Sequence, residues 1–431
     1  MPSSPIEASV VAASVGFIDR RLDVPLRLSS GTITDLTEAR ATVRVRVGDA
    51  EADGKGAVYL SDVWAWPDPN LAHAVRDARM RQLCEEIAAN LDRIVGAWRA
   101  HPLELGLRLH EELAGDRSHP RAVDDPPLLA RILCGSPFDA AIHDATGRAL
   151  QRSAFDLYGT PQPIPSADRL FPASGTVAAI ANALRPPVRR LEAWWVVGRD
   201  DDLEAEAEAI HRGGFRSFKL KLLGGPDPRE DAAWTASVYR ALRRLGVDSP
   251  ILSGDANGGY ATADDVESYL AELEAADAEA YAALSYLEQP TAWDLRTAAF
   301  DWRPVTRRKP VVADEGLTGL DILPELERQG WSGVALKTCK GHSLCLVAAA
   351  WARQRAMILT MQDLTNPGLA AIHAALFAAH LHTANGVELN SPQYTPGANS
   401  DWLPRLSGLF EPRGGVHRLP DAEPPGLGSN L

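Results

Sequence analysis

Cysteine is scarce in this chain: four residues in 431, Cys84, Cys134, Cys339 and Cys345, none in CxxC spacing. Reduced thiols fit that pattern better than a disulfide framework or a thiolate zinc site. Long apolar runs are missing too. None approaches the roughly 18 residues of a membrane span, and the opening MPSSPIEASVVAASV lacks the basic flank of a secretory leader. A cytoplasmic protein with no membrane partner is the expectation. Positive charge is in deficit, with 44 Lys and Arg against 57 Asp and Glu and a formal net charge of -13. Nucleic acid needs a segregated basic patch, so small molecules are the expected partners. The remaining composition, 45% hydrophobic and 23% charged, is that of an ordinary folded protein. At 431 residues the chain exceeds the ~250–300 residues at which single cores stop growing, which predicts two domains.

The first 60 residues alternate with period two in SVVAASVGFI (9–18), ATVRVRV (41–47) and GKGAVYL (54–60), with Gly48-Asp49 as a turn. An antiparallel meander is predicted. From Asn70, a candidate N-cap, to about Arg152 the period becomes helical. Residues 1–158 therefore read as an α+β domain, and residues 159–187, rich in Pro and small side chains, as a linker or insertion. Beyond them eight β-rich runs alternate with helical segments: LEAWWVV (191–197), RSFKLK (216–221), SPILSGD (249–255), LSYLE (284–288), KPVVAD (309–314), GVALK (333–337), AMILTMQ (356–362) and GVELN (386–390). The fold class this predicts is α/β, a modified TIM barrel of the (β/α)7β kind over residues 188–395, because the eighth run enters SPQYTPG without an eighth helix. Residues 396–431 are left as a tail.

Barrel enzymes build their sites where strands end. Here strand two ends on Lys219 and Lys221, strand three on Asp255, strand four on Glu288, strand five on Asp314 and strand six on Lys337. Alternate residues of a strand share a face, so the two lysines of FKLK point together. Singly, each feature has a plain explanation: a KLK run is readily an amphipathic surface strand, and a lone acid after a strand a cap or turn residue. Five successive strands ending in charge at one rim point instead to a site. Three converging carboxylates would raise one another's pKa unless a cation sat among them, and oxygen-only ligands suit Mg2+. A substrate carboxylate on such an ion would make the adjacent carbon a better acid, through an enediolate. A lysine beside that ion and a second lysine would have its pKa drawn toward neutrality, as a general base requires. Lys337, from the other side of the acids, would face the opposite side of the same carbon.

This constellation resembles the enolase superfamily, and within it the branch of muconate lactonizing enzymes and dipeptide epimerases. The resemblance is carried by GFRSFKLK (214–221), DANGGY (255–260), LEQP (287–290), ADEG (313–316), ALKTCKG (335–341), AAIHDATGRALQ (140–151) and the N-terminal meander. It implies that Asp255, Glu288 and Asp314 hold one Mg2+, that Lys221 is a catalytic acid/base with Lys219 as electrostatic partner, and that Lys337 is the base on the opposite face. Asn257 and Glu315 would support them. It also implies an N-terminal α+β capping domain to which the tail returns, and a symmetric homo-oligomer. Two cap loops, IDRRLDVPLRLSSG (18–31) and VYLSDVWAWPDPN (58–70), would close over the substrate, making Arg20, Arg21, Arg27, Asp62, Trp64 and Trp66 candidates for recognising it. The pattern departs from relatives at two strand ends. Strand seven ends on Gln362-Asp363 rather than a His, which disfavours mandelate racemase-like and many sugar-acid dehydratase chemistries; His373 and His380 fall in the following helix as packing or surface residues. Strand eight offers Glu388 and Asn390 where dipeptide epimerases usually carry paired aspartates. The expected activity is racemisation or epimerisation of a small carboxylate. Dehydration, lactonizing cycloisomerisation, an o-succinylbenzoate synthase-like lyase reaction and non-catalytic carboxylate binding remain alternatives.

Overall fold

The structure, a computed structural model, describes residues 4–28, 31–96, 99–115 and 125–431. Ser29 and Ser30 of the expected cap loop lie outside the described residues, as do 97–98 and 116–124 of the expected helical stretch. The N-terminal meander forms as its alternation dictates: β1 (Ala8–Leu28) pairs antiparallel with β2 (Gly31–Val47), which pairs with β3 (Ala50–Tyr59). Ala39, Ala41, Val43 and Val45 of β2 are buried on one face. Because β3 reaches only as far as Glu38 of β2, the part of the β1–β2 pair beyond it continues alone as a two-stranded ribbon.

A single turn, α1 (Asp62–Ala65), leads to α2 (His73–Ile94), α3 (Pro102–Ala114) and α4 (Leu128–Ala149). Asn70 does not cap α2, whose N-cap is Ala72. Its N–H instead donates to Asp68 Oδ1 at 2.8 Å, a side-chain turn between Pro67 and the helix. Helix α4 lies so close on β3 that a Cβ on Gly54 would come 2.2 Å from the Ala141 carbonyl oxygen, and one on Gly56 2.0 Å from that of Pro137. Only glycine permits that approach.

Residues 159–187 contain α5 (Thr176–Ala183), and Ile164, Phe171, Val177 and Ile180 join the barrel's apolar core. After β4 (Arg190–Glu192), which pairs antiparallel with Val416–Arg418 of the tail, comes a parallel sheet of β5 (Trp194–Val197), β6 (Ser217–Lys221), β7 (Ile251–Asp255), β8 (Leu284–Glu288), β9 (Val311–Ala313), β10 (Gly333–Lys337) and β11 (Ile358–Gln362), in that spatial order. The connecting helices are α6 (Leu203–Gly213), α7 (Pro228–Arg244), α8 (Ala263–Ala276) with α9 (Ala278–Ala283), the one-turn α10 (Arg303–Thr306), α11 (Leu323–Gln329) and α12 (His342–Gln354); α13 (Gly368–Ala379) follows β11. Gly214, at φ 68°, closes α6, and Thr262 with Asp265 forms a reciprocal capping box on α8. The eighth run is not a full strand. It joins β11 and the β4–β5 junction through the isolated bridges Gln362–Glu388 and Ala193–Val387. The result is the modified (β/α)7β barrel with an N-terminal α+β unit. The tail returns to α4, where the buried Asp144 carboxylate accepts from the Leu427 N–H (2.7 Å) and the Ser429 hydroxyl (2.5 Å).

Between α4 and the barrel lie three fully buried imidazoles: His143 on α4, His342 on α12 and His373 on α13. His143 and His342 are 4.6 Å apart, and neither ring nitrogen of His342 has a partner among the described residues. Burial pushes all three below the ordinary imidazole range, His342 to about 3 with help from His373 and His380, and His373 to about 4.

Two outcomes follow. Gly56→Ala should lower stability by about 2 kcal/mol or more in urea unfolding, since neither backbone can yield. For the imidazoles, folded and unfolded states are both neutral above the unfolded value near 6.5, so stability is unaffected there. As pH falls from 6.5 toward 4 only the unfolded chain gains their protons, and stability drops by about 1.4 kcal/mol per pH unit for each imidazole. His342→Phe, which removes an unpartnered polar ring, should leave stability at pH 7 unchanged or raised and reduce the acid slope by about one proton.

Candidate active site

Register assembles the site before any side chain is considered. Lys221 on β6 is opposite Asp255 on β7, which is opposite Glu288 on β8; Glu288 is opposite Val312 on β9, two residues before Asp314. Alternate residues share a face, so the same strands place an apolar layer of Trp194, Tyr286, Val312 and Ala335 deeper in the barrel. The charged layer stands above it.

Lys219 is fully buried at the centre of that layer. Its ammonium donates to Glu288 Oε1 (2.8 Å), Glu388 Oε2 (2.8 Å) and Gln362 Oε1 (3.2 Å), and lies 3.3 Å from Asp255 Oδ2. Lys221 donates to the same Asp255 oxygen at 2.6 Å and to Asn257 Oδ1 at 3.3 Å. At the other end of the row Lys337 donates to Asp314 Oδ2 at 2.6 Å. Gln362 Nε2 donates to Glu288 Oε2 (2.6 Å), and Asn390 Nδ2 to Glu388 Oε1 (2.6 Å). Burial would push the Lys219 and Lys337 ammonium groups down, but carboxylates outweigh it and hold both above the ordinary lysine range: Glu288, Glu388 and Asp255 for Lys219, chiefly Asp314 for Lys337. Each of these two amines sits on an acid, which favours its charged form. Burial is likewise outweighed at Asp255, by Lys221 and Lys219, and at Asp314, by Lys337 and Lys340; both are held low. Burial prevails at Glu288, pushed up to about 8 with the help of Asp255 and Asp314, and at Glu315, pushed up to about 7. It also raises Asp363, whose Oδ2 has no hydrogen-bond partner among the described residues.

Two residues with no expected role complete the cluster. Lys340 is fully buried and donates to the Asp314 backbone oxygen (2.8 Å) and Oδ1 (3.1 Å). Residues Thr338–Lys340 form a 3-10 turn, whose period of three turns Lys340 back toward the side Lys337 serves. Gln289 accepts the N–H groups of Asp314 (2.9 Å) and Gly316 (3.0 Å) on its Oε1, fixing the loop that carries Asp314 and Glu315. The signal for both lay within LEQP and ALKTCKG, next to residues already singled out. Four of the eight non-glycine residues with positive φ among the described residues follow barrel strands here: Asn257, Gln289, Leu364 and Thr365. Such backbone conformations cost of order 1–3 kcal/mol each and gather where a site dictates geometry.

A small enclosed cavity of about 30 Å3 lies above the cluster. Its barrel side carries Lys221, Asn257, Lys337, Glu388 and Asn390. Its cap side is formed by Leu22, Leu26, Ile33 and Leu36 of the ribbon, with Ser61 and Trp64. Trp64 donates to Glu315 Oε1 at 2.8 Å and its ring stands 5.1 Å from the Lys337 amine, a cation–π contact; Asn257 Nδ2 donates to the same Glu315 oxygen at 2.9 Å. The other cap candidates are elsewhere. Arg20 pairs with Glu38 at 2.6 Å, Arg21 is exposed, and Arg27 pairs with Asp200 in solvent, left outside when the ribbon leucines pack on Val196 and Tyr394. Asp62 is buried under Arg76 (2.8 Å) and His73 (3.0 Å). Trp66 is buried and lines a separate cleft of about 970 Å3 with Trp293 and Glu315.

Residues 202–431 match the family described as enolase C-terminal domain-like. Among solved structures, a muconate lactonizing enzyme from Pseudomonas fluorescens complexed with muconolactone is 19% identical with a TM-score of 0.64, covering 98% of this chain and 96% of that one. An N-succinyl Arg/Lys racemase from Bacillus cereus is 16% identical with a TM-score of 0.63, covering 99% and 95%. A dipeptide epimerase from Enterococcus faecalis complexed with Mg and the dipeptide L-Leu-L-Tyr is 15% identical with a TM-score of 0.62, covering 97% and 99%. Among curated proteins no sequence matches the chain. With the family match spanning just over half its length and this architecture throughout, the chain belongs to the enolase C-terminal domain-like family, in the mandelate racemase and muconate lactonizing enzyme branch of the enolase superfamily.

Proposed function

We propose that this enolase-superfamily enzyme removes the proton α to a substrate carboxylate and returns a proton to the same carbon, racemising or epimerising it between Lys221 and Lys337. One observation supports this most directly: both amines line a single enclosed cavity, at opposite ends of the row of acids. In one direction Lys221 Nζ, as free amine, takes the α-proton, and the C–H electron pair moves into the bond to the carboxylate carbon. Lys337 Nζ, as ammonium, donates its proton to the other face of the α-carbon as that pair returns. The reverse direction exchanges the two roles. Lys219 remains an ammonium throughout, since three carboxylates surround it.

The donor set fits a hard divalent ion. Six buried carboxyl groups, Asp255, Glu288, Asp314, Glu315, Asp363 and Glu388, share this end of the barrel with four amines, Lys219, Lys221, Lys337 and Lys340; with all six ionised the set would be two positive charges short of balance, and the upward shifts of Glu288, Glu315 and Asp363 mark that excess. All candidate ligands are oxygens, which suits Mg2+, and Asp255, Glu288 and Asp314 on adjacent strands would hold it. Among the described residues no three such groups are yet set around one point. For the three acids to bind together, Lys221 on Asp255, Lys337 on Asp314 Oδ2 and one of the two donors on Glu288 must give up their oxygens, while Lys340 keeps its contact with the Asp314 backbone oxygen. Bound there, the ion would draw off the negative charge that develops on the substrate carboxylate. Lys340 would then serve as a positioning residue, keeping Asp314 aimed inward.

Lys221→Met and Lys337→Met should each lower racemisation by about 10²–10⁴-fold, read as interconversion of the two enantiomers by polarimetry; undiminished interconversion in either variant would reject its role. A 2-keto acid or a ring-closed product in place of the antipode would reassign the chemistry to elimination or cycloisomerisation. Lys340→Met should weaken Mg2+ binding by about 10–100-fold in calorimetry of the substrate-free protein; unchanged binding would remove Lys340 from this role.

A further inference from the structure

Proton transfer accounts only for the substrate atoms beside the carboxylate; the rest of the molecule must lie against the cap. Resting on the proposed proton abstraction, we infer that the substrate is an acid with a single carboxylate and an apolar, uncharged remainder, enclosed by Leu22, Leu26, Ile33 and Leu36 of the ribbon. The two walls of the cavity differ in charge. Every charged group lining it comes from the barrel, and the ribbon contributes only aliphatic side chains. Cations nearby are already engaged. Lys221 and Lys337 sit on Asp255 and Asp314, Arg20 on Glu38, and Arg27 on Asp200 outside the cavity. A second carboxylate, a cationic side chain or a row of sugar hydroxyls would be desolvated against the four ribbon side chains, with the lone Ser61 hydroxyl as the polar group on the cap side. An aliphatic or aromatic group would bury there without that penalty.

The small volume, room for one or two waters, sets a second condition: the remainder is compact or the ribbon lifts to admit it. The ribbon tip is supported by its own pairing and by few contacts beyond its leucines, among them the Gly397 N–H donating to Asp23 Oδ2 at 3.2 Å. Two lining residues carry an unpartnered polar atom among the described residues, Ser61 on the cap side and Asn390 on the barrel side. Asn390 lines the cavity, and its Oδ1 has no hydrogen-bond partner among the described residues while its amide is held by Glu388. A donor on the substituent at the α-carbon, such as an amide N–H, would satisfy it. An apolar amino acid carrying a neutral N-acyl group combines all three properties.

The test is α-deuterium uptake by the wild-type protein with Mg2+ in D2O. N-acetyl-leucine and N-acetyl-phenylalanine are compared with N-succinyl-leucine, N-acetylglutamate, N-acetylarginine and galactarate. The apolar monocarboxylates should exceed each charged or polyhydroxy acid by at least about 100-fold in kcat/KM. Equal or faster exchange of a dicarboxylate, the arginine derivative or the acid sugar would overturn the substrate class and leave the lysine assignment standing. Uptake by none of the six would overturn the proton-abstraction reading, and the inference with it. Ile33→Arg, or Leu26→Arg if the first fails to fold, should raise the N-succinyl to N-acetyl preference at least tenfold. An unchanged ratio in the folded variant would remove the ribbon from substrate recognition. Should neither variant fold, the wild-type comparison alone decides.

Discussion

The buried ammonium of Lys219 is the constraint on which the barrel's upper half depends. It touches acids from β7, β8 and the segment after β11, and the Gln362 amide as well. Taking that much charge out of water is expensive, and each carboxylate repays the expense only while its partner is in place. The seam of the barrel explains what is obtained. Around residues 387–388 the backbone ladder shrinks to two isolated bridges, too little to fix the last segment by itself. The 2.8 Å contact from Lys219 to Glu388 ties that segment to β6 across the interior. Charge pairing thus completes a closure that hydrogen-bonded strands leave thin.

The cap is joined to this layer through a few short contacts rather than through a broad polar interface. Trp64 bonds Glu315 and stacks its ring near Lys337, and the Tyr59 N–H donates to Asn366 Oδ1 at 2.6 Å. The cap segment over residues 59–64 therefore reads out the loops after β9 and β11 directly. The ribbon does something different. It lays aliphatic side chains over a charged floor, so one cavity contains a low-dielectric roof that strengthens every charge interaction beneath it. On the proposed reading, reactivity at the floor and selection at the roof fall to different parts of the chain.

Much of this was legible in the sequence, and for physical reasons. Period-two alternation with a charge at each strand end survives in any context, because pleat geometry fixes which side chains face inward. Hence Lys219, Lys221, Asp255, Glu288, Asp314 and Lys337 could be read as one set, and the structure brings them together at one end of the barrel. Lys340 and Gln289 act from turns, where direction depends on a 3-10 twist or a positive φ that spacing does not reveal. Arg27 was plausible by position, yet which face of a ribbon meets the barrel is decided by where its leucines find apolar partners. Which oxygen each amine touches is likewise a through-space fact that spacing does not carry.

A cluster this costly needs support from elsewhere, and the strands that build it supply the support within two residues. Below Glu288 is Tyr286, below Asp314 is Val312, below Lys337 is Ala335, all buried in one apolar layer with Trp194. Outside the same strands, α12 and α13 are buried along nearly their whole length. Cooperative unfolding makes those distant contacts available to the rim, because no strand can release its upper charge without releasing the layer beneath. The rim can therefore keep unbalanced carboxyl groups, orphaned oxygens on Glu315, Asp363 and Asn390, and four left-handed loop residues, all of which a stability-optimised barrel would lose. Their concentration around one cluster of charged side chains is what separates a site from a flaw in packing.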